Sequence, residues 1–287
     1  VDVPGSSVDS EQVADLFLTS LGLLLSERVR IDRLRIVEEP HRGSRGGPSA
    51  GGDAPDSTGR RLVELSHVIR AGQITYPGLP GPEITPHLTR QASRSHYAEG
   101  TEFAIDRISM VGNTGTYLDS PWHRYAASTD LATLPLASCA DLPAVVVRTA
   151  GTGVLAVDVG ALAAYDVTGR AVLLHTGGDR GFGTADYARD APYLTEAGAR
   201  WLVEHEAALV GIDAINIDDA TDAAGGRRPA HSLLLAAEIP VVEHLTGLDQ
   251  LPPAGARFSA APPRVAEFGT FPVRAWASVP TYDGGQR

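Results

Sequence analysis

The pattern of apolar and polar residues divides the chain into a head, a polar linker and one long domain. Apolar side chains in residues 11–37 recur at the spacing of one or two amphipathic helices, and Ser10 is a suitable N-cap. Residues 39–60 are rich in Gly, Pro, Ser and charge, which is typical of a flexible linker. We therefore predict a helical extension over 1–38, a linker over 39–60 and a main domain over 61–287.

The helical head has two interpretations. An amphipathic helix commonly packs its apolar face on the adjoining domain or on a second subunit. The same face can instead bind a separate partner protein. The residue pattern favours the first interpretation because amphipathic helices are common, and it leaves the second open.

From Arg61 onward, short apolar runs alternate with segments of helical periodicity. β-Branched or leucine-rich runs bounded by turn residues predict strands, and Thr195 is a suitable N-cap for a helix. The predicted strands are 61–69, 144–148, 171–175, 209–212, 240–243 and 273–277, and the predicted helices are 195–206 and 231–237. Mixed strands and helices in one uninterrupted run indicate a single α/β domain.

Charge and cysteine content exclude several classes of protein. The 24 basic residues against 35 acidic ones give a net charge of −11, so no nucleic-acid or anionic-membrane partner is expected. The single cysteine, Cys139, excludes an intrachain disulfide and a cysteine-rich zinc site. No apolar run reaches the roughly 18 residues of a membrane span, and the acidic start does not resemble a signal peptide. We expect a cytoplasmic protein.

The first candidate for chemistry is the run Asn113-Thr-Gly-Thr-Tyr-Leu-Asp-Ser-Pro-Trp-His123. Asp119 and His123 lie four residues apart, and a carboxylate and an imidazole at that spacing can share a metal ion or act as an orienting group and a base. A histidine beside Trp and Pro is also commonly a hydrogen-bonded structural residue. Spacing alone leaves both interpretations open.

The second candidate is the pair His231 and Glu243, twelve residues apart. A predicted helix carries His231, and the predicted strand that follows ends at Glu243, so a helix–strand unit can bring the two side chains together. A surface histidine and a strand-end glutamate would give the same pattern.

Together the two segments resemble the cyclase family of metal-dependent hydrolases, whose members include bacterial kynurenine formamidase and isatin hydrolase. The family motif His-x-Gly-Thr-His-x-Asp-x-Pro-x-His aligns with residues 113–123. Further matches are Glu64-Leu-Ser-His67, His175-Thr-Gly-Gly-Asp179 and Pro272-Val-Arg-Ala275, so the resemblance spans about residues 61–278. It implies a three-layer β/β/α domain of the swivelling type, with a mixed and partly closed sheet.

The resemblance also implies a ligand set. In the family, the two motif histidines and the aspartate bind one metal ion, and the aspartate, a later histidine and a glutamate bind a second. Asp119, His231 and Glu243 match the second set. Asn113 and Tyr117 replace the two histidines, and an amide and a phenol are poor ligands for zinc. We expect the first site to be lost and one divalent ion, Zn or Mn, to occupy the second.

Three functions follow from this set. The first is a hydrolase of a small, aromatic amide, formamide or lactam, acting on carbon–nitrogen bonds other than peptide bonds as an arylformamidase does. Metal-bound water would attack the carbonyl, and His123 would protonate the leaving nitrogen. The aromatic side chains of Tyr76, Tyr117 and Trp122 suggest the aromatic substrate, although Trp122 fits core packing equally well.

The second function is a ring-forming cyclase or dehydratase of secondary metabolism, in which Tyr117 and His123 act as acid and base and Asn113 assists Tyr117 at a developing oxyanion. The third is a non-catalytic member of the fold, which the two replaced histidines would permit. The resemblance further implies a homodimer or homotetramer that acts on a small molecule.

Overall fold

The computed structural model of this protein describes residues 59–281, so the predicted head and nearly all of the predicted linker lie outside the described residues. The described strands are β1 (Arg60–Glu64), β2 (Glu83–Leu88), β3 (Ile105–Ser109), β4 (Tyr117–Asp119), β5 (Leu142–Arg148), β6 (Ala156–Val157), β7 (Ala171–His175), β8 (Tyr193–Leu194), β9 (Leu209–Ile212), β10 (Val241–Glu243), β11 (Ala254–Ser259), β12 (Thr270–Pro272) and β13 (Trp276–Pro280). The described α-helices are α1 (Arg90–Ser93), α2 (Val159–Leu162), α3 (Glu196–Glu204) and α4 (Pro229–Ala236). No helix in residues 59–281 is long and apolar enough to cross a membrane.

A mixed sheet of nine strands organises the described domain, in the order β1-β13-β11-β5-β7-β9-β10-β4-β12. The central strands β5, β7, β9 and β10 run parallel, and the flanking pairs are antiparallel. After β1 ends, Ser66 forms an isolated bridge with Leu245, which follows β10 on the other side of the sheet. This bridge partly closes the sheet.

Two apolar cores lie on opposite faces of the sheet because side chains alternate along each strand. In β5, Ala144 and Val146 face one core, and Val145 and Val147 face the other. The second core also contains Leu202 of α3 and Leu234 of α4, so the helices cover this face. The first core lies inside the curl of the sheet with residues of β1, β11 and β13. The predicted three-layer β/β/α class is confirmed.

Several predicted elements match the structure closely. The strands at 171–175 and 209–212 have the predicted bounds, and α3 begins directly after Thr195, whose hydroxyl accepts a hydrogen bond from the Gly198 N–H. The predicted helix at 231–237 begins two residues earlier, at Pro229. Proline is well suited to the first turn of a helix because its missing N–H needs no partner there.

The prediction of one final strand over 273–277 is wrong. The chain forms β12 up to Pro272 and β13 from Trp276, and the residues between them leave the sheet. The Ser66 hydroxyl donates to the Val273 carbonyl and accepts from the Ala275 N–H. A side chain therefore satisfies these backbone groups in place of a strand partner. The segment 61–69, predicted as a strand that enters a polar turn, forms β1 as far as Glu64.

Close packing at Gly269 generates a prediction about stability. A Cβ added at this residue would lie 2.5 Å from both the N and the Cα of His123. We expect Gly269→Ala to reduce the free energy of unfolding by about 1–3 kcal/mol, because the backbone at His123 must shift. The control is Gly160→Ala in α2, where nothing lies within 4 Å of the added Cβ. Urea denaturation checks both variants, and equal stability of the two would contradict this account.

Candidate metal and acid–base site

The two buried carboxylates of the site come from neighbouring strands. In the antiparallel pair β4–β10, Val241 lies opposite Asp119 and Glu243 lies opposite Tyr117. Because alternate residues share a face, Tyr117, Asp119 and Glu243 all point to one side of the sheet. Val241 belongs to the core beneath the helices, so this is the side covered by α3 and α4.

Helix α4 brings His231 to the two carboxylates. Its Nε2 lies 3.5 Å from Asp119 Oδ2 and 3.5 Å from Glu243 Oε1. Burial alone would lower the pKa of His231, but the charge of Glu243 and the contacts with Asp119 and Asp218 raise that pKa well above its ordinary value. Burial and the charge of Asp119 together raise the pKa of Glu243 to about 7, against the opposing effect of His231. The carboxylates around His231 therefore favour positive charge at this position.

Asp218 orients His231. Its carboxylate accepts hydrogen bonds from the backbone N–H groups of Ala230 at 2.6 Å and His231 at 3.1 Å, in the first turn of α4. The same carboxylate lies 2.7 Å from His231 Nδ1. With Nδ1 occupied in this way, Nε2 is the ring nitrogen that faces Asp119 and Glu243. A metal-ligating histidine commonly donates its other ring N–H to a carboxylate, which fixes the orientation of the imidazole.

Two observations show that Asp119, His231 and Glu243 fit a divalent cation. One ligand atom from each residue lies within 4.8 Å of the other two. Two ligands at about 2.1 Å from a tetrahedral ion are roughly 3.4 Å apart, close to the 3.5 Å separations of His231 Nε2 from the carboxylate oxygens. In addition, Asp119 Oδ2 is buried without a hydrogen-bond partner among the described residues. A buried carboxylate oxygen without a donor is costly unless a cation satisfies it.

His123 lies beside this group and is held by Thr270. The Thr270 hydroxyl contacts Asp119 Oδ1 and lies 2.6 Å from His123 Nδ1. Since Asp119 is a carboxylate, the single hydroxyl proton points to it, and His123 Nδ1 must be the donor to the hydroxyl oxygen. Neutral His123 thus carries its proton on Nδ1 and a lone pair on Nε2. Its side chain is 37% exposed and can reach both substrate and water.

Tyr117 belongs to a directed chain of hydrogen bonds. Its hydroxyl donates to Glu243 Oε2 at 2.6 Å, so its oxygen accepts from His244 Nε2 at 3.3 Å. His244 Nδ1 then accepts from the Tyr187 hydroxyl at 2.8 Å. Burial lowers the pKa of His244 to about 3, which agrees with a neutral ring that donates on one side and accepts on the other. Every donor in the chain points toward Glu243.

Asn113 also contacts the Tyr117 side chain. Burial, and the charges of Glu243 and Asp119, raise the pKa of Tyr117 well above its ordinary value. Asn113 and Tyr117, which occupy the positions of the two family histidines, thus join a hydrogen-bonded network around one oxygen of Glu243. The other oxygen, Oε1, accepts the Ile217 N–H at 2.6 Å and faces His231.

A cavity of about 830 Å³ opens onto this group. Tyr117, His231 and Glu243 line its buried end, and Asp119 lies behind them. Tyr76 lines the cavity, whereas Trp122, for which core packing was the alternative, does not. The remaining lining residues are Pro77, Gly78, Leu79, Asn113, His123, Arg124, Glu196, Asn216, Gly226, Arg227, Arg228, Pro229 and Ser232.

The structure thus brings together all six site residues predicted from the sequence: Asn113, Tyr117, Asp119, His123, His231 and Glu243. Sequence reasoning missed Thr270 and the roles of Asp218 and His244. Asp218 has a recognisable signal, since it lies in a polar run directly before the helix that carries His231. Thr270 has none, because it is 147 residues from His123 along the chain.

Comparison with known proteins places this fold in context. The sequence profile of the cyclase family, described as "Putative cyclase", matches residues 63–219. A comparison with curated protein sequences gives no match.

Several solved structures share the fold, and three of them illustrate the match. An isatin hydrolase bound to the product analogue thioisatinate is 21% identical, with 78% of this chain and 94% of that chain covered and a TM-score of 0.67. Isatin hydrolase A from Labrenzia aggregata, bound to benzyl benzoate, is 24% identical over 78% and 95% of the two chains, with a TM-score of 0.66. A potential metal-dependent hydrolase with cyclase activity is 22% identical over 76% and 98%, with a TM-score of 0.61.

His67, close to His244, generates a prediction about pH. Its ring stacks on Phe182 at 3.6 Å, and its Nε2 is buried without a partner among the described residues. Burial lowers its pKa to about 4, against the opposing charge of Asp179, whereas an unfolded chain has a histidine pKa of about 6.5. Between these values the unfolded state binds the extra proton, so stability falls as the pH drops from 6.5 to 4.

We expect His67→Gln to weaken this dependence. The midpoint of thermal unfolding, measured from pH 7 to pH 4, should fall less steeply in this variant than in the wild type. His87→Gln, on the exposed strand β2, is the matched control. Parallel curves for His67→Gln and the wild type would contradict the assignment.

Proposed function

This chain belongs to the cyclase family, and from that premise we propose that it is a metal-dependent hydrolase of a small amide, formamide or lactam. One observation carries the proposal. Asp119, His231 and Glu243 form a buried group with the spacing of metal ligands at the closed end of an 830 Å³ cavity. The isatin hydrolases with the same fold open a lactam, which makes lactams and related aryl amides the first substrates to test.

In this proposal Asp119, His231 and Glu243 hold the divalent ion, Zn or Mn. A bound ion of this kind lowers the pKa of water and polarises a carbonyl. Asp218 fixes the His231 ring, and the Tyr117 hydroxyl and the Ile217 N–H hold the Glu243 carboxylate in one orientation. These hydrogen bonds orient the side chains that would hold the ion before the substrate enters.

His123 moves the proton. Its lone pair on Nε2 accepts a proton from the attacking water, while Thr270 retains the Nδ1 proton through its hydrogen bond. The protonated ring then donates from Nε2 to the leaving nitrogen, so the imidazole returns to its neutral state. Asp119 Oδ1, 3.6 Å from His123 Nδ1, stabilises the positive charge during this step.

A ring-forming cyclase or dehydratase is the second candidate, because Tyr117 and His123 both line the cavity. In that reaction Tyr117 acts as the acid. The geometry favours hydrolysis, since the Tyr117 proton is already donated to Glu243 and its pKa is raised by burial. The third candidate, a non-catalytic member of the fold, rests on the two replaced histidines, Asn113 and Tyr117.

We further propose that the protein assembles as a homodimer or homotetramer and works in the cytoplasm. The hairpin of β2 and β3 exposes Ile84, Ile105 and Ile108, and a second copy of the chain could cover such a surface. The single cysteine, Cys139, is buried and free, as is common in a reducing compartment.

Metal content is the first experiment. Elemental mass spectrometry after dialysis against zinc or manganese should give about one ion per chain, because one ligand set is complete in residues 59–281. Glu243→Gln should lose the ion, whereas Glu204→Gln on the exposed end of α3 should retain it. Removal of the ion should lower hydrolysis of isatin or an N-formyl arylamine on the order of 100-fold. Full activity without metal would refute the metal-dependent mechanism.

Tyr117→Phe separates the two catalytic candidates. For the hydrolase, this change removes one hydrogen bond to Glu243, and we expect metal affinity to fall roughly 10-fold while turnover at saturating metal stays within a few-fold. For the cyclase, loss of the acid should lower turnover about 100-fold or more at any metal concentration. Steady-state kinetics over a range of metal concentrations distinguish these results.

A further inference from the structure

Three arginines line the open side of the cavity. Arg124 and Arg227 are exposed and Arg228 is half-buried, whereas the residues at the opposite end, Tyr117 and Glu243, are fully buried. The cavity therefore has an acidic, buried end and a cationic, exposed end. This polarity is unexpected in a chain with a net charge of −11.

Local structure brings two of these arginines together. The Ser232 hydroxyl donates to the Arg228 carbonyl at 2.6 Å, and Arg124 Nε donates to the same hydroxyl at 3.4 Å. The neighbouring Tyr125 hydroxyl donates to the Ser232 carbonyl at 3.0 Å and ties this segment to α4. Residues more than 100 positions apart in the sequence thus meet at one serine of the helix that carries His231.

The three guanidinium groups keep donors available. Arg227 donates a hydrogen bond only from Nε, to the Ala224 carbonyl. Arg228 donates from only one terminal nitrogen, to the carbonyls of Asp219 and Arg227. In residues 59–281, none of the three forms an ion pair with a carboxylate. The arginine ion pairs of this part of the chain involve Arg94, Arg170, Arg189, Arg200, Arg257 and Arg274.

Among the described residues that line the open side of the cavity, Glu196 is the acidic one. Its Oε1 accepts a hydrogen bond from Arg200 at 3.1 Å, and Arg200 does not line the cavity. Its charge is therefore compensated from outside. Hydrogen bonds from Thr221 and the charge of Arg228 lower the pKa of Asp219, but Asp219 does not line the cavity, so arginines outnumber carboxylates on its open side. Like charges held close together without a counterion repel each other, and a bound anion relieves that repulsion.

We infer that Arg124, Arg227 and Arg228 form an oxyanion-binding subsite, so that the substrate carries a carboxylate or phosphate group. Planar guanidinium groups with two parallel donors match these anions in a bidentate geometry. The chain contains no lysine, so its permanently charged basic side chains are all arginines. The inference deepens the hydrolase proposal by naming the class of substrate that enters the cavity.

The position of the subsite fixes the direction of the substrate. Arg124 follows His123 directly, and Arg228 lies three residues before His231, whose ring centroid is 6.0 Å from that of His123. An anionic group held by the arginines leaves the rest of the molecule directed into the cavity. The scissile amide then reaches His123 and the buried carboxylates, while the anion stays away from Asp119 and Glu243.

Calorimetric titration with three probes tests the subsite. Benzoate and phenyl phosphate carry the two candidate anions, and benzamide is the uncharged analogue of benzoate. The wild type should bind at least one anion 10-fold or more tightly than benzamide, which corresponds to about 1.4 kcal/mol. The ratio of benzoate to phenyl phosphate affinity identifies the anion. Affinity should fall as NaCl is raised.

Substitutions locate the binding. The double variant Arg124→Gln/Arg228→Gln should lose at least 10-fold in anion affinity, with benzamide unchanged. Arg228→Lys, which keeps the charge but not the bidentate donors, should be intermediate. Arg274→Gln removes a charge from an exposed ion pair outside the cavity and should bind as the wild type does. Equal affinity of benzoate, phenyl phosphate and benzamide for the wild type would overturn the inference.

Each titration is repeated with protein treated with a chelator, because an anion can also bind a metal ion directly. Anion binding that survives the chelator and is lost in the double variant supports the subsite, whatever the metal content proves to be. Binding that needs the metal and is unchanged in the double variant refutes the subsite but leaves the hydrolase proposal intact. The failure of one proposal is thus distinguishable from the failure of the other.

Discussion

Two carboxylates without solvent exposure, Asp119 and Glu243, impose the main constraint on this structure. Carboxylates in a dry interior are unfavourable unless donors or cations satisfy them. The neighbouring groups do this in part: Thr270 reaches Asp119 Oδ1, Tyr117 reaches Glu243 Oε2, and the Ile217 N–H reaches Glu243 Oε1. Asp119 Oδ2 keeps no hydrogen-bond partner among the described residues and faces His231 Nε2. The arrangement leaves one buried carboxylate oxygen at the closed end of the cavity, in a group of side chains that could hold a metal ion.

The hydrogen-bonded chain through Tyr117 accounts for the altered motif in physical terms. Two imidazoles can bind a metal ion, whereas Asn113 and Tyr117 cannot do so well. In this protein the Tyr117 hydroxyl donates to Glu243, and Asn113 contacts the Tyr117 side chain. Donation by Tyr117 to Glu243, supported by His244 and Tyr187, uses one oxygen of the glutamate and directs the other toward His231. Asn113 and Tyr117 therefore belong to a hydrogen-bonded network around Glu243.

The pattern of apolar and polar residues predicted those strands and helices whose burial is regular along the element. The run at 171–174 is apolar because both faces of its strand are buried. Thr195 and an apolar stripe along the following residues predict helix α3. The pattern was misleading at 273–277, where the hydroxyl of Ser66, more than 200 residues away, satisfies the backbone and the chain leaves the sheet. Segments whose hydrogen bonds depend on a distant side chain carry no local signal.

The same distinction, between what local pattern predicts and what distant contacts decide, applies to the site. The sequence by itself determined the types of donor available, and its ordered motifs identified Asp119, His123, His231 and Glu243 as a group. Only the tertiary structure decided which atoms face one another. Strand register places Asp119 and Glu243 on one face, Asp218 selects the His231 nitrogen that meets them, and Thr270 selects the free nitrogen of His123. The tertiary structure also places Arg124, Arg227 and Arg228 along one cavity. The physical reason is that hydrogen-bond direction and charge compensation depend on distances across the fold, which residue order along the chain does not contain.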